Sequence, residues 1–247
     1  MPVTFTLLFI VCLYLVWGSE QINAFVSARI EETPQLLFFL TIIKKLAVFV
    51  LLPFATLAIL YNYGWKDFGI STKNLRKTFD RRYLLLIAVL CGIYLAIQYL
   101  AGQSAQPIFR SDFSLQAIII GGLMLYLLQL IEVGLVEEFF FRAVLQTRLA
   151  SWLNSEIAGV LLMSLLFGLA HAPGYYLREA ASMTALGTTP DLAVALAYSI
   201  AVISLAGLAF GVIWAMTRNI FVLIIIHAWI DTLAGLPEFL EIFPALR

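Results

Sequence analysis

Charge is scarce in this chain. Its 15 basic and 15 acidic residues make up 12% of 247 positions, against about 25% in an ordinary soluble domain. The two signs cancel, so there is no electrostatic case for nucleic acid, and no such partner is expected. Cysteine is nearly absent. Cys12 and Cys91 stand in separate apolar runs, which excludes a disulfide framework. Met1–Trp17 lacks a basic start, so it reads as a retained first span and not as a cleaved signal. Repeats, low-complexity stretches and linkers are also missing. Residues 1–247 therefore read as a single membrane domain.

Apolar residues fill the space. They are 62% of the chain, and the mean hydropathy is +0.97. One water-soluble core of this size cannot hide so much apolar surface. Soluble enzymes and disordered tails are excluded. A membrane span needs about 20 mostly apolar residues. The runs are Val3–Trp17, Leu36–Tyr63, Tyr83–Ala101, Phe113–Leu149, Ile157–His171, Leu192–Met216 and Ile220–Leu236. They predict an all-α, polytopic integral membrane helical bundle of about seven transmembrane helices, with a range of about six to eight. An outer-membrane barrel would need alternating strands, and these runs do not alternate.

Lys44-Lys45 interrupts the second run and predicts an interface there, with the span proper at Leu46–Tyr63. The basic segment Asn62–Arg82 carries Lys66, Lys73, Arg76, Lys77, Arg81 and Arg82, which predicts a cytoplasmic location. The turn at Ser151–Glu156 and Arg218 would share that side. Gly207 and Gly211 form a small-xxx-small pair suited to close helix contact.

Few ionisable residues fall inside the spans: Glu132, Glu137, Glu138, Arg142, His171, His227 and Asp231. Each is costly in lipid and so is a functional candidate. On a helix, Glu138 and Arg142 are i,i+4 and pair on one face. Glu137 lies about 100° away and is left free. A free carboxylate in an apolar setting suits a general base. The plain alternative is a salt-bridge anchor near an interface. His171 closes the run Phe167-Gly-Leu-Ala-His, and Pro173 predicts a helix end just beyond it. His227 and Asp231 are i,i+4, so the acid can orient the imidazole. A structural tie between two helices is the alternative there. Counting from a turn at Asn154, Glu138 and His171 fall at nearly the same depth, about 25 Å from the turn. The same count does not bring His227 to that level.

Three motifs thus stand in order: EExxxR at Glu137–Arg142, FxxxH at Phe167–His171 and HxxxD at His227–Asp231. Together they resemble the CPBP family of CAAX proteases and bacteriocin-processing enzymes, also called the Abi family, which includes the Ras-converting type of CAAX prenyl endopeptidase. The resemblance covers residues 118–236, the expected catalytic core. It implies an intramembrane endopeptidase with Glu137 activating water, His171 holding that water, and His227 with Asp231 at the oxyanion. Glu138, Arg142 and Phe167 would support them. Asp231 is expected to orient His227, because an ionised Asp is acceptor-only.

The resemblance leaves metal dependence open. Any divalent cation, Zn²⁺ by type, would draw on Glu137, Glu138, His171, His227 and Asp231. No HExxH is present. The implied partners are the lipid bilayer and a peptide or protein substrate, with isoprenylation at its C-terminus as one option. The implied location is the plasma membrane in a prokaryote and the endoplasmic reticulum in a eukaryote. The topology places the Glu138–His171 level toward the outer leaflet. The alternative function is a non-catalytic membrane protein of the same fold, acting in bacteriocin immunity or as a partner-binding scaffold.

Overall fold

The computed structural model describes residues 34–102, 104–110, 112–177 and 191–246. The expected span Val3–Trp17 lies outside the described residues. Among those described, no strand occurs, and six helices are long and apolar enough to cross a membrane. In chain order the helices are α1 Pro34–Tyr61, a short α2 Thr72–Thr78, α3 Arg81–Ala101, α4 Leu115–Trp152, α5 Glu156–Leu177, α6 Leu192–Thr217 and α7 Ile220–Ile242. The chain is an integral, multi-pass membrane protein. Its apolar side chains face outward as well as inward: Ile59, Leu100, Ile157 and Met216 are all exposed. In a bilayer those residues meet hydrocarbon.

Polar side chains set several helix starts. Ser71, Ser114, Asp191 and Asn219 each accept a hydrogen bond from a backbone N–H in the first turn of α2, α4, α6 and α7. Asn62, Asn154 and Arg218 close α1, the α4–α5 turn and α6 in the left-handed region. Arg218 is the costly one there, since a long side chain gains nothing from that conformation. Its guanidinium bonds to Thr147 and pairs with Glu156, which holds it in place.

Three of the spans contain wide π-type turns: Ala47–Leu51 in α1, Leu130–Leu135 and Glu138–Gln146 in α4, and Ser199–Ile203 in α6. Such turns are rare and concentrate at functional sites. In α1 the turn precedes Pro53, and the Leu52 N–H reaches back five residues to the Ala47 carbonyl. The wider turn relaxes the helix just where the proline ring would crowd the backbone.

α1 runs through Lys44-Lys45 as one helix, so Leu36–Ile43 is continuous with the span that follows. Lys45 Nζ reaches Glu132 Oε1 at 2.9 Å, so its charge is paired with α4. One expectation is corrected: Pro173 does not end its helix. α5 continues to Leu177, and Pro237 likewise lies inside α7. Within lipid, neighbouring helices stabilise a span across a proline, which water would not do.

Close contacts between helices rest on small residues. A Cβ at Gly207 would stand 3.1 Å from the Phe167 ring, and one at Gly211 would stand 3.1 Å from Gln146 Oε1. The Gly207–Gly211 pair therefore packs α6 against α5 and α4 within this chain. A Cβ at Gly134 would lie 2.7 Å from the Ile224 carbonyl oxygen, so α4 and α7 touch backbone to backbone there. These approaches centre α4 in the bundle, with Phe139, Phe140, Phe141, Val144 and Leu145 buried around it.

Candidate active site

α4 supplies two adjacent carboxylates. Glu138 is wholly enclosed, and Glu137 keeps 18% of its side chain exposed. Arg142 Nε lies 3.5 Å from Glu138 Oε2, as the i,i+4 spacing predicts. The guanidinium is itself 1% exposed. Its centre sits 4.3 Å from the Phe167 ring centroid and 5.7 Å from that of Phe210. One carboxylate and two aromatic faces therefore balance its charge.

α5 brings His171 to Glu137. Its Nδ1 donates to the Phe167 carbonyl at 2.8 Å, because a carbonyl can only accept. In the neutral ring Nε2 then carries the lone pair. It lies 3.6 Å from Glu137 Oε2. Phe167 also packs its ring 4.6 Å from the imidazole, centroid to centroid. The depth argument holds with the carboxylates exchanged: Glu137, not Glu138, meets His171. The register is fixed lower in the hairpin, where Gly159 of α5 abuts Ala150 of α4.

α7 brings His227 to both acids. Nδ1 lies 2.6 Å from Glu138 Oε1, and Nε2 lies 4.0 Å from Glu137 Oε2. Phe210 stacks on the ring at 4.8 Å. The depth count from Asn154 failed for His227 because the α6–α7 turn does not reach the level of that residue. Trp214 Nε1 and Arg218 both bond to Thr147 Oγ1, at 3.0 and 3.2 Å. Thr147 follows Glu138 by as many residues as separate His227 from Arg218, so the two groups meet about 13 Å from that turn. The site is thus nearer the basic segment than the count from Asn154 implied.

Asp231 Oδ2 stands 3.7 Å from His227 Nε2 and is 34% exposed. Asp231 was expected to orient His227, but the orienting bond comes from Glu138, on the opposite ring nitrogen. Asp231 flanks the open edge of the ring instead.

Other groups were missed in the sequence. Phe210 carries no motif, and its only signal is its place between Gly207 and Gly211. Gln146 donates to the Gly211 carbonyl at 2.9 Å and secures α6 below the arginine. Lys45 and Glu132 form their pair on the side of the site away from the basic segment.

Glu137 Oε2 is buried and accepts no hydrogen bond among the described residues. Both histidine Nε2 atoms point toward it. Imidazole and carboxylate donors suit Zn²⁺ by type. As placed, however, no three His, Cys, Asp or Glu side chains among the described residues are gathered to hold a metal ion.

The family model described as type II CAAX prenyl endopeptidase, Rce1-like, matches residues 119–233. The segment that builds this site is similar to that family. All three motifs fall inside the match, which covers slightly under half of the chain. No curated protein and no solved structure matches the chain. The family supports an intramembrane endopeptidase of the CAAX-protease type, acting on a protein or peptide within a membrane.

Proposed function

We propose that this protein hydrolyses a peptide bond near the C-terminus of a membrane-anchored substrate, with Glu137 as the general base. One observation carries the reading. Two imidazoles have their Nδ1 edges tied, one to the Phe167 carbonyl and one to Glu138. Both direct Nε2 at the unspent oxygen of Glu137, at 3.6 and 4.0 Å. Neither imidazole edge is spent on a backbone or structural partner at the Glu137 side, which leaves both for a bound water.

A water between Glu137 and His171 Nε2 gives its proton to Glu137 as its oxygen attacks the carbonyl carbon. The negative charge moves to the carbonyl oxygen. His227, protonated on both nitrogens, keeps Nδ1–H on Glu138 and offers Nε2–H to that oxyanion. The tetrahedral intermediate then collapses. The C–N bond breaks, and Glu137 returns its proton to the leaving amine. Arg142 holds Glu138, which holds His227. Phe167 holds His171 by its carbonyl.

The test is cleavage by the full chain in liposomes, given a fluorogenic farnesylated CAAX peptide and its unprenylated twin. The expected result is cleavage of the prenylated peptide, lost in Glu137→Ala and His171→Ala. If both variants cleave like the wild type, the assignment of the base is wrong. If the wild type cleaves neither peptide, this substrate class is wrong.

A further inference from the structure

About 13 Å below the carboxylates, the basic segment and the α6–α7 turn line an open cavity of about 310 Å³. Its lining includes Lys66, Asp67, Lys73, Lys77, Thr147 and Arg218. Four of these side chains are cationic and one is acidic. Arg218 is paired with Glu156, and Asp67 accepts from the Gly64 N–H. The ammonium groups of Lys66, Lys73 and Lys77 have no hydrogen-bond or ion-pair partner among the described residues. Three cations held around one concavity repel one another unless an anion joins them.

The floor is built. Asn74 Nδ2 donates to the carbonyls of Gly69 and Arg218, both at 2.9 Å. Asn219 Nδ2 donates to the Asn74 carbonyl and to Thr78 Oγ1, both at 3.0 Å, and it is fully buried. Gly69 has φ +78° and would place a Cβ 2.9 Å from the Trp214 ring, so the loop before α2 closes tightly on α6. The lysines therefore stand on a frame locked to α4, α6 and α7.

The cavity also lies at headgroup level. Trp65, Leu75 and Phe79 expose apolar surface beside it, and Arg81 and Arg82 begin the next span. Aromatic and basic residues together mark the membrane–water interface. Basic pockets at that depth suit anionic lipid headgroups.

We infer that this cavity binds a phosphate monoester, held by Lys66, Lys73 and Lys77 with Arg218 at its floor. A lipid headgroup and free phosphate share that chemistry. The site is independent of peptide hydrolysis.

The full chain in detergent micelles would be titrated with dioleoyl phosphatidic acid, dioleoyl phosphatidylcholine or inorganic phosphate. Bound lipid would be read by native mass spectrometry, and the melting temperature would be followed in parallel. Phosphatidic acid should be retained at least about tenfold better than phosphatidylcholine, an advantage lost in Lys73→Ala/Lys77→Ala. Arg76→Ala, on the same helix but outside the cavity, should bind like the wild type. Competition by millimolar inorganic phosphate, or stabilisation by it alone, would identify free phosphate as the source. Retention of phosphatidic acid unaffected by phosphate would identify the lipid. The inference is overturned if neither probe binds the wild type above phosphatidylcholine. It is also overturned if the double variant and Arg76→Ala lose binding equally, since that is the behaviour of diffuse surface charge.

Discussion

At the scale of single residues, adjacent acids in α4 have separate tasks because their surroundings differ. Glu138 is enclosed between His227, which bonds its Oε1, and Arg142, which ion-pairs with its Oε2. Glu137 is partly open and faces the Nε2 edges of both histidines. Glu137→Gln should therefore lower kcat by about 10²–10⁴-fold, with the melting temperature nearly unchanged, as a paired activity and thermal-shift measurement would show. Arg142→Ala should do the reverse in kind. It leaves the Glu138 charge enclosed without its partner, at a cost of about 3–5 kcal/mol. Lower expression and an earlier thermal transition would report that loss. An Arg142→Ala protein as stable as the wild type would mean that the aromatic faces, and not the charge pair, hold the site. The Lys45–Glu132 pair is shallower. Lys45→Met should destabilise by about 1–3 kcal/mol, and Lys45→Met/Glu132→Leu should recover most of it, because an apolar pair leaves no orphaned carboxylate.

At the scale of helices, hydropathy made the spans legible, because bilayer thickness demands a run of fixed length. The EExxxR pairing was legible too, since i,i+4 spacing survives even where the turn widens. What failed to show was any feature whose partner is distant in the chain. The pairing of Lys45 was hidden because Glu132 lies 87 residues away. Pro173 looked like a terminator because its neighbours on α6 are not visible in one dimension. Asp231 looked like the ring's orienter because it is close in sequence, whereas Glu138 arrives from another helix. The α4–α7 contact gives a direct check at this scale. Gly134→Val would drive a side chain into the Ile224 carbonyl. It should cost about 1–3 kcal/mol and shift His227 away from Glu138. Activity should then fall further than stability alone accounts for.

At the scale of the whole molecule, exposure changes along one axis. It is 0% at Glu138, 18% at Glu137, 30% at His171 and Lys45, and 34% at Asp231. The open edge thus lies away from the basic segment. In proteoliposomes, with Cys12 and Cys91 replaced by Ser, Lys45→Cys and Lys73→Cys should label from opposite sides with a membrane-impermeant thiol reagent. Labelling from one side would place the mouth beside the basic segment and reverse this orientation. The sequence could not supply that axis, because the depth of His227 depends on where the α6–α7 turn is anchored, at Thr147.

Below the carboxylates the way is shut. Arg142, Gln146, Phe139, Phe140, Phe141 and Trp214 are all nearly or fully buried. On the proposed function, the buried floor leaves the open edge beside Asp231 as the side at which substrate enters and fragments leave. Turnover then becomes a matter of traffic: the excised peptide, added in excess, should compete with fresh substrate.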